Sequence, residues 1–171
     1  MKGGRIYVSC PHPINQSGDN MKKVLFVCTG NTCRSPMAEV IFNSLAEEKS
    51  LDWRAESAGF AAVGDRPASQ NAIQAVAEIG LDLSTHKTRF LPSVDLNEYA
   101  LFVGLTEEHA EILKSMGIPA QFVRVLYRAP NVDDKYDLRM DIVDPYGGDL
   151  NAYRKCRDDI VGAIKVLITT L

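Results

Sequence analysis

The chain has 171 residues, 46% hydrophobic and 24% charged, with a formal net charge of −3. That is enough for one well-buried core, too little for two ordinary domains, and it lacks the broad basic footprint of a nucleic-acid or membrane-surface binder. Cys10, Cys28, Cys33 and Cys156 have no extracellular framework spacing. With His12, His86 and His109 scattered, no zinc set is visible, and a reduced, cytoplasmic setting is the expectation.

Residues 1–20 are rich in Gly, Pro, Ser and Asn around one apolar island, Ile6, Tyr7 and Val8. They read as a poorly ordered extension of a single domain spanning 21–171. No run approaches the about 18 apolar residues of a membrane span, and the N-terminus shows no signal-peptide core. The apolar run Val24, Leu25, Phe26, Val27 predicts a first strand ending at Cys28. The turn CTGNTCRS follows, and Ser35-Pro36 opens a helix with Met37, Val40, Ile41 and Leu45 on one face.

Loop N–H groups and the positive end of the helix dipole would converge on one point and favour negative charge there. Cys28 at that point is expected to ionise easily and to be largely thiolate at neutral pH. Arg34 can donate two parallel hydrogen bonds to phosphoryl oxygens. Gly30 is expected to take a positive φ or permit close backbone approach. Asn31 tolerates a left-handed conformation, and Ser35 can cap the helix or bond the thiolate. The nucleotide P-loop pattern GxxxxGK[ST] is absent.

Further on, 53–59 reads as a second strand leading into FAAVGDRP, where Phe60 and Val63 are candidate cleft-wall residues. Residues 67–79 read as a helix opened by Pro67 and closed by Gly80, and 91–99 as a short helix. The run 100–105 suits a buried parallel strand, 106–116 a helix, and 121–126 the last strand. Residues 127–148 form a long polar segment with Asp133, Asp134, Asp137, Asp141 and Asp144, whose spacing does not fit an EF-hand. The final helix, 149–171, places Tyr153, Ile160, Ile164, Leu167 and Leu171 on one face, with Cys156 in the core. Alternation of strands and helices predicts an α/β three-layer sandwich, a twisted four-stranded parallel sheet flanked by helices on both faces.

CTGNTCRSP directly after an apolar strand, followed late in the chain by Asp144-Pro145-Tyr146, resembles the low-molecular-weight protein tyrosine phosphatase family from about residue 22 onward. Thr32, where the tyrosine phosphatases commonly carry Ile, is similar to the branch that hydrolyses phosphoarginine on proteins. A hydroxyl there can meet water or the guanidinium side of a substrate, where Ile would bury that polar group without a partner. The resemblance implies Cys28 as nucleophile, Arg34 as oxyanion clamp and Asp144 as general acid, with a phosphocysteine intermediate. It implies substrate binding by Thr29, Gly30, Asn31, Thr32, Cys33, Ser35 and Tyr146, on phosphorylated proteins. Phosphate, vanadate or arsenate would serve as oxyanion ligands, and no metal or organic cofactor is required.

Cys33 either packs under the loop or forms a protective disulfide with Cys28. Phosphotyrosine is the alternative substrate. An arsenate reductase would need further relay cysteines between Cys33 and Cys156, where none occurs, and a non-catalytic oxyanion binder would be expected to lose Cys28, Arg34 or Asp144.

Overall fold

The computed structural model describes residues 21–128 and 140–171. The tail 1–20 and the acids Asp133, Asp134 and Asp137 lie outside the described residues. In chain order the elements are β1 (Lys22–Cys28), α1 (Arg34–Glu48), β2 (Trp53–Gly59), α2 (Gln70–Ala77), β3 (Leu101–Gly104), α3 (Glu107–Ser115), β4 (Val123–Val125), β5 (Tyr127–Arg128), β6 (Met140–Asp141) and α4 (Leu150–Ile168).

Four strands form a parallel sheet in the order β2-β1-β3-β4. β1 is central, and its run Val24 to Val27 is buried on both faces, as a parallel strand between helices must be. Val24 and Phe26 pack with α1, α2 and α4, whereas Leu25 and Val27 pack with α3 and with the single-turn helices near Leu91 and Leu96. The three layers follow from that alternation.

The strand order reverses at β1, so β2 and β3 leave it on opposite sides and a crevice opens at the strand C-termini. Cys28 is the last residue of β1 and pairs in register with Gly59 at the end of β2. The loop 29–33 therefore sits over the crevice, and α1 runs away from it. Pro36 costs α1 nothing, because the first-turn N–H groups have no intrahelical acceptor.

Three elements differ from their sequence expectation. α2 starts at Gln70 rather than Pro67, because the Ser69 side chain caps it by accepting from Ala72 N. Ser69 N is meanwhile committed to Thr32 O at 2.8 Å. The segment 91–99 forms two single-turn 3-10 helices, Leu91–Ser93 and Leu96–Glu98, separated by extended Val94 and Asp95. The last sheet strand is shorter than 121–126, since 120–122 is a single helical turn.

The segment after β4 also contains an antiparallel pair, β5 with β6, absent from the sequence reading. Ile142 N then donates to Leu105 O at 3.2 Å, tying the returning chain to the end of β3 and carrying Asp144 to the crevice. In α4, Tyr153, Cys156, Ile160 and Ile164 are buried as expected, whereas Leu171 lies past the helix end and is exposed.

Candidate active site

Cys28 stands at the base of a cleft of about 330 Å³ lined also by Thr29, Gly30, Thr32, Cys33, Arg34, Ala61, Val63, Arg66, Thr88, Asp144 and Tyr146. Most residues singled out in the sequence thus meet around one cavity. Asn31 and Ser35 do not line it: both are fully buried behind the loop. Phe60 does not line it either. It is half-buried against the His109 ring, with centroids 5.8 Å apart, and only Val63 of the two wall candidates faces the cleft.

Asn31 organises the loop. Its φ of 55° is left-handed, which its short polar side chain tolerates. Its amide nitrogen donates to Ser35 Oγ and to Ser57 Oγ, each at 2.9 Å, and its Oδ1 accepts from Arg89 N at 2.8 Å. Both side-chain N–H donors and one lone pair of the oxygen are placed, and this network fixes which way the amide faces. Its N–H points at Cys28 Sγ, 3.3 Å away, and its carbonyl accepts from His86 Nε2 at 2.9 Å.

Ser35 Oγ already accepts from Asn31, so its proton is free to go to Cys28 Sγ at 2.9 Å, a better distance than the 3.4 Å to Ala58 O. Of the two roles open to Ser35, it takes the sulfur contact. The N-cap position of α1 is Cys33, with no side-chain cap. Ser57 passes the chain of bonds on by donating to Glu39 Oε2 at 2.6 Å.

Two opposing influences act on the thiol. Cys28 is only 3% exposed, and burial pushes it above its ordinary value, while Ser35, Asn31 N–H and the Arg34 charge pull it down. The sheet and loop that remove water from the sulfur thus oppose the ionisation that the loop's polar groups and Arg34 favour. Gly30 departs from expectation: it has no positive φ, and a Cβ there would meet only Thr32 Oγ1 at 3.6 Å. Crowding falls instead on Gly59, where a Cβ would lie 2.7 Å from Thr29 O and 2.9 Å from Asn31 N.

Arg34 reaches across the cleft. It donates to Asp144 Oδ2 at 2.6 Å and to Ile142 O at 3.3 Å, from a buried position, while the Asp144 side chain is about half exposed. Tyr146 N donates to Asp144 Oδ1 at 3.1 Å, and the Tyr146 side chain is exposed at the rim. Cys33 Sγ lies 3.3 Å from Tyr153 OH and 3.5 Å from Ser69 Oγ. Both Cys28 and Cys33 are free thiols, and Cys33 packs between α2 and α4.

Several contributors escaped the sequence reading. His86, Arg89, Ser57 and Glu39 support the loop from behind, Arg66 and Thr88 line the cleft, and His109 Nε2 lies 3.1 Å from Thr29 Oγ1. The pairs joining His86 and His109 to the loop span 55 and 80 residues, so no motif spacing announces them.

A family model described as low molecular weight phosphotyrosine protein phosphatase matches residues 23–171. The chain belongs to this family. A protein-arginine-phosphatase of Bacillus subtilis is 34% identical over 155 residues, covering 86% of this chain and 95% of that protein. The crystal structure of a low-molecular-weight protein tyrosine phosphatase from T. tengcongensis superposes with a TM-score of 0.78 at 38% identity, covering 88% of this chain and 99% of that one. A serine variant of YwlE arginine phosphatase, with a phosphorylated active-site serine, superposes with a TM-score of 0.72 at 31% identity, covering 87% and 95%. The four-stranded parallel sheet between helices is this family's fold. Among the described residues, no helix is long and apolar enough to cross a membrane.

Proposed function

We propose that this chain is a cysteine-dependent protein phosphatase acting on phosphoarginine, working through Cys28, Arg34 and Asp144. The observation that best supports this is the 2.6 Å pairing of Arg34 with Asp144 over the cleft that Cys28 floors, two residues 110 positions apart in sequence. Phosphoryl oxygens compete with Asp144 for the guanidinium, and when they take it the carboxyl group is released toward the leaving atom.

Cys28 then attacks phosphorus as the thiolate, formed against burial by Ser35, Asn31 N–H, Arg34 and the α1 dipole. The S–P bond forms as the bond to the leaving nitrogen breaks, and Asp144 protonates the departing group. Loop N–H groups and Arg34 hold the equatorial oxygens. Ionised Asp144 next takes a proton from water, whose oxygen displaces the sulfur and releases phosphate. The phosphorylated serine in the YwlE variant supports a covalent step at this position.

Phosphoarginine is favoured by Thr32 at the cleft and by the protein-arginine-phosphatase from Bacillus subtilis. A phosphotyrosine reading is favoured by the tyrosine phosphatase from T. tengcongensis. Comparing kcat/KM on matched phosphoarginine and phosphotyrosine peptides decides between them. The wild type should prefer phosphoarginine, Thr32→Ile should shift the ratio toward phosphotyrosine, and Cys28→Ser should abolish turnover of both while still folding. Preference of the wild type for phosphotyrosine would overturn the substrate assignment, and substantial activity in Cys28→Ser would overturn the nucleophile.

A further inference from the structure

The segment joining β2 to α2 forms one wall of the cleft, and its shape is set by buried Thr88. Thr88 Oγ1 donates to Val63 O at 2.8 Å and accepts from Arg66 N at 3.0 Å, and Thr88 N donates to Arg66 O at 2.8 Å. Three hydrogen bonds thus clamp the backbone on either side of exposed Asp65 and fix where the Arg66 side chain begins.

Two guanidinium groups line the cleft, and their surroundings differ. Arg34 is buried and paired with Asp144, so those charges offset each other. Arg66 is exposed, and among the described residues its guanidinium has no hydrogen-bond or ion-pair partner. Asp65 and Lys87, the charged sequence neighbours of Arg66 and Thr88, do not line the cleft. The cavity wall therefore carries one uncompensated positive charge, on a side chain whose stem is held.

A residue that merely solvated the surface would need no backbone clamp to aim it at the substrate opening. A phosphorylated side chain entering the cleft brings its flanking residues to this rim, where an anionic neighbour meets Arg66 and a cationic one is repelled.

We propose that Arg66 is a specificity-determining residue that reads a carboxylate beside the phosphorylated residue, so that the cleft selects phosphosites in acidic segments. This rests on the protein phosphatase reading of the site. Exposed pairs of this kind are modest and screened by salt, so the effect belongs in selectivity between substrates rather than in the chemical step.

The test measures kcat/KM for phosphopeptides identical except for Glu or Lys on both sides of the phosphorylated residue, at low and at high ionic strength. The full chain is used as wild type, Arg66→Gln and Arg66→Glu, each checked for an unchanged thermal midpoint. The wild type should prefer the Glu peptide by about fivefold or more at low salt, the combined effect of one attraction and one repulsion. Arg66→Gln should bring the ratio toward one, Arg66→Glu should invert it, and high salt should compress all three. Equal wild-type rates on the two peptides, or an unchanged ratio in Arg66→Glu, would overturn the proposal while leaving the phosphatase reading intact. Failure of the wild type to turn over either peptide would overturn both.

Discussion

At the scale of single residues, His109 shows how a side chain outside any motif joins the site. It lies in the first turn of α3, buried, with Nε2 on Thr29 and Nδ1 unpartnered among the described residues. Burial first, and the Arg34 charge second, hold its pKa down at about 4, with Asp144 and Asp141 pulling weakly the other way. An unfolded histidine titrates near 6.5, so between about 6.5 and about 4 the unfolded state binds more protons than the folded one. His109 therefore contributes stability that is lost as pH falls through that window. His109→Gln can keep a bond to Thr29 without titrating, and its denaturation midpoint should fall less than that of the wild type between pH 7 and pH 4.5. Parallel losses in urea titrations at the two pH values would remove His109 from this role.

At the scale of elements, the loop is held from β2 as much as from its own helix. Gly59 closes on Thr29 and Asn31, and Gly59 N donates to Arg89 O, so β2, the loop and the 86–90 segment form one layer. A Cβ at 2.7 Å from a backbone oxygen forces the loop to move, not a flexible side chain. Gly59→Ala should cost about 1–3 kcal/mol of stability, the usual range for overpacking a tight site. It should also lower kcat/KM by about tenfold or more, because about 1.4 kcal/mol of lost transition-state binding suffices for that. Gly30→Ala has room and should keep the fold's stability. Equal unfolding midpoints for wild type and Gly59→Ala would show that the loop tolerates the displacement.

At the scale of the whole molecule, a network on the far side of the sheet gathers three residues distant in sequence on Glu56 of β2. Its carboxylate accepts from Tyr99 OH at 2.5 Å and from Arg89 at 2.6 Å, and lies 3.1 Å from Lys23 Nζ. Burial alone would raise its pKa, but the bonds from Tyr99, Arg89 and Lys23 override it and hold the group at about 2. A depressed carboxylate stabilises the fold above its unfolded value near 4.5, and that contribution is lost as pH falls toward about 2. Glu56→Gln should therefore be less stable than wild type at pH 7, by about 1–3 kcal/mol as expected for loss of a hydrogen-bonded charge, and the gap should narrow as pH falls from about 4.5 toward about 2. Glu39 works against this trend, because burial raises its pKa. Chemical denaturation across pH, with wild type and Glu56→Gln side by side, isolates the Glu56 share; a gap independent of pH would assign the loss to packing.

The loop geometry was legible from sequence because it is contiguous: a strand, nine residues and a helix start bring Cys28, Arg34 and Ser35 together through local geometry alone. The parallel sheet was legible too, since buried runs alternating with amphipathic ones leave few other ways to cover both faces. Asp144 was legible only through its Pro-aromatic neighbours, while the route that brings it to Arg34, through the β5–β6 pair and Ile142, was not. His86, His109, Arg89, Ser57, Arg66 and Thr88 carry no local pattern, because their partners are set by which strand ends the register aligns. Tertiary structure also set the burial that opposes ionisation of Cys28, since desolvation depends on what covers the sulfur, and a sequence contains the dipole and the cation but not that burial.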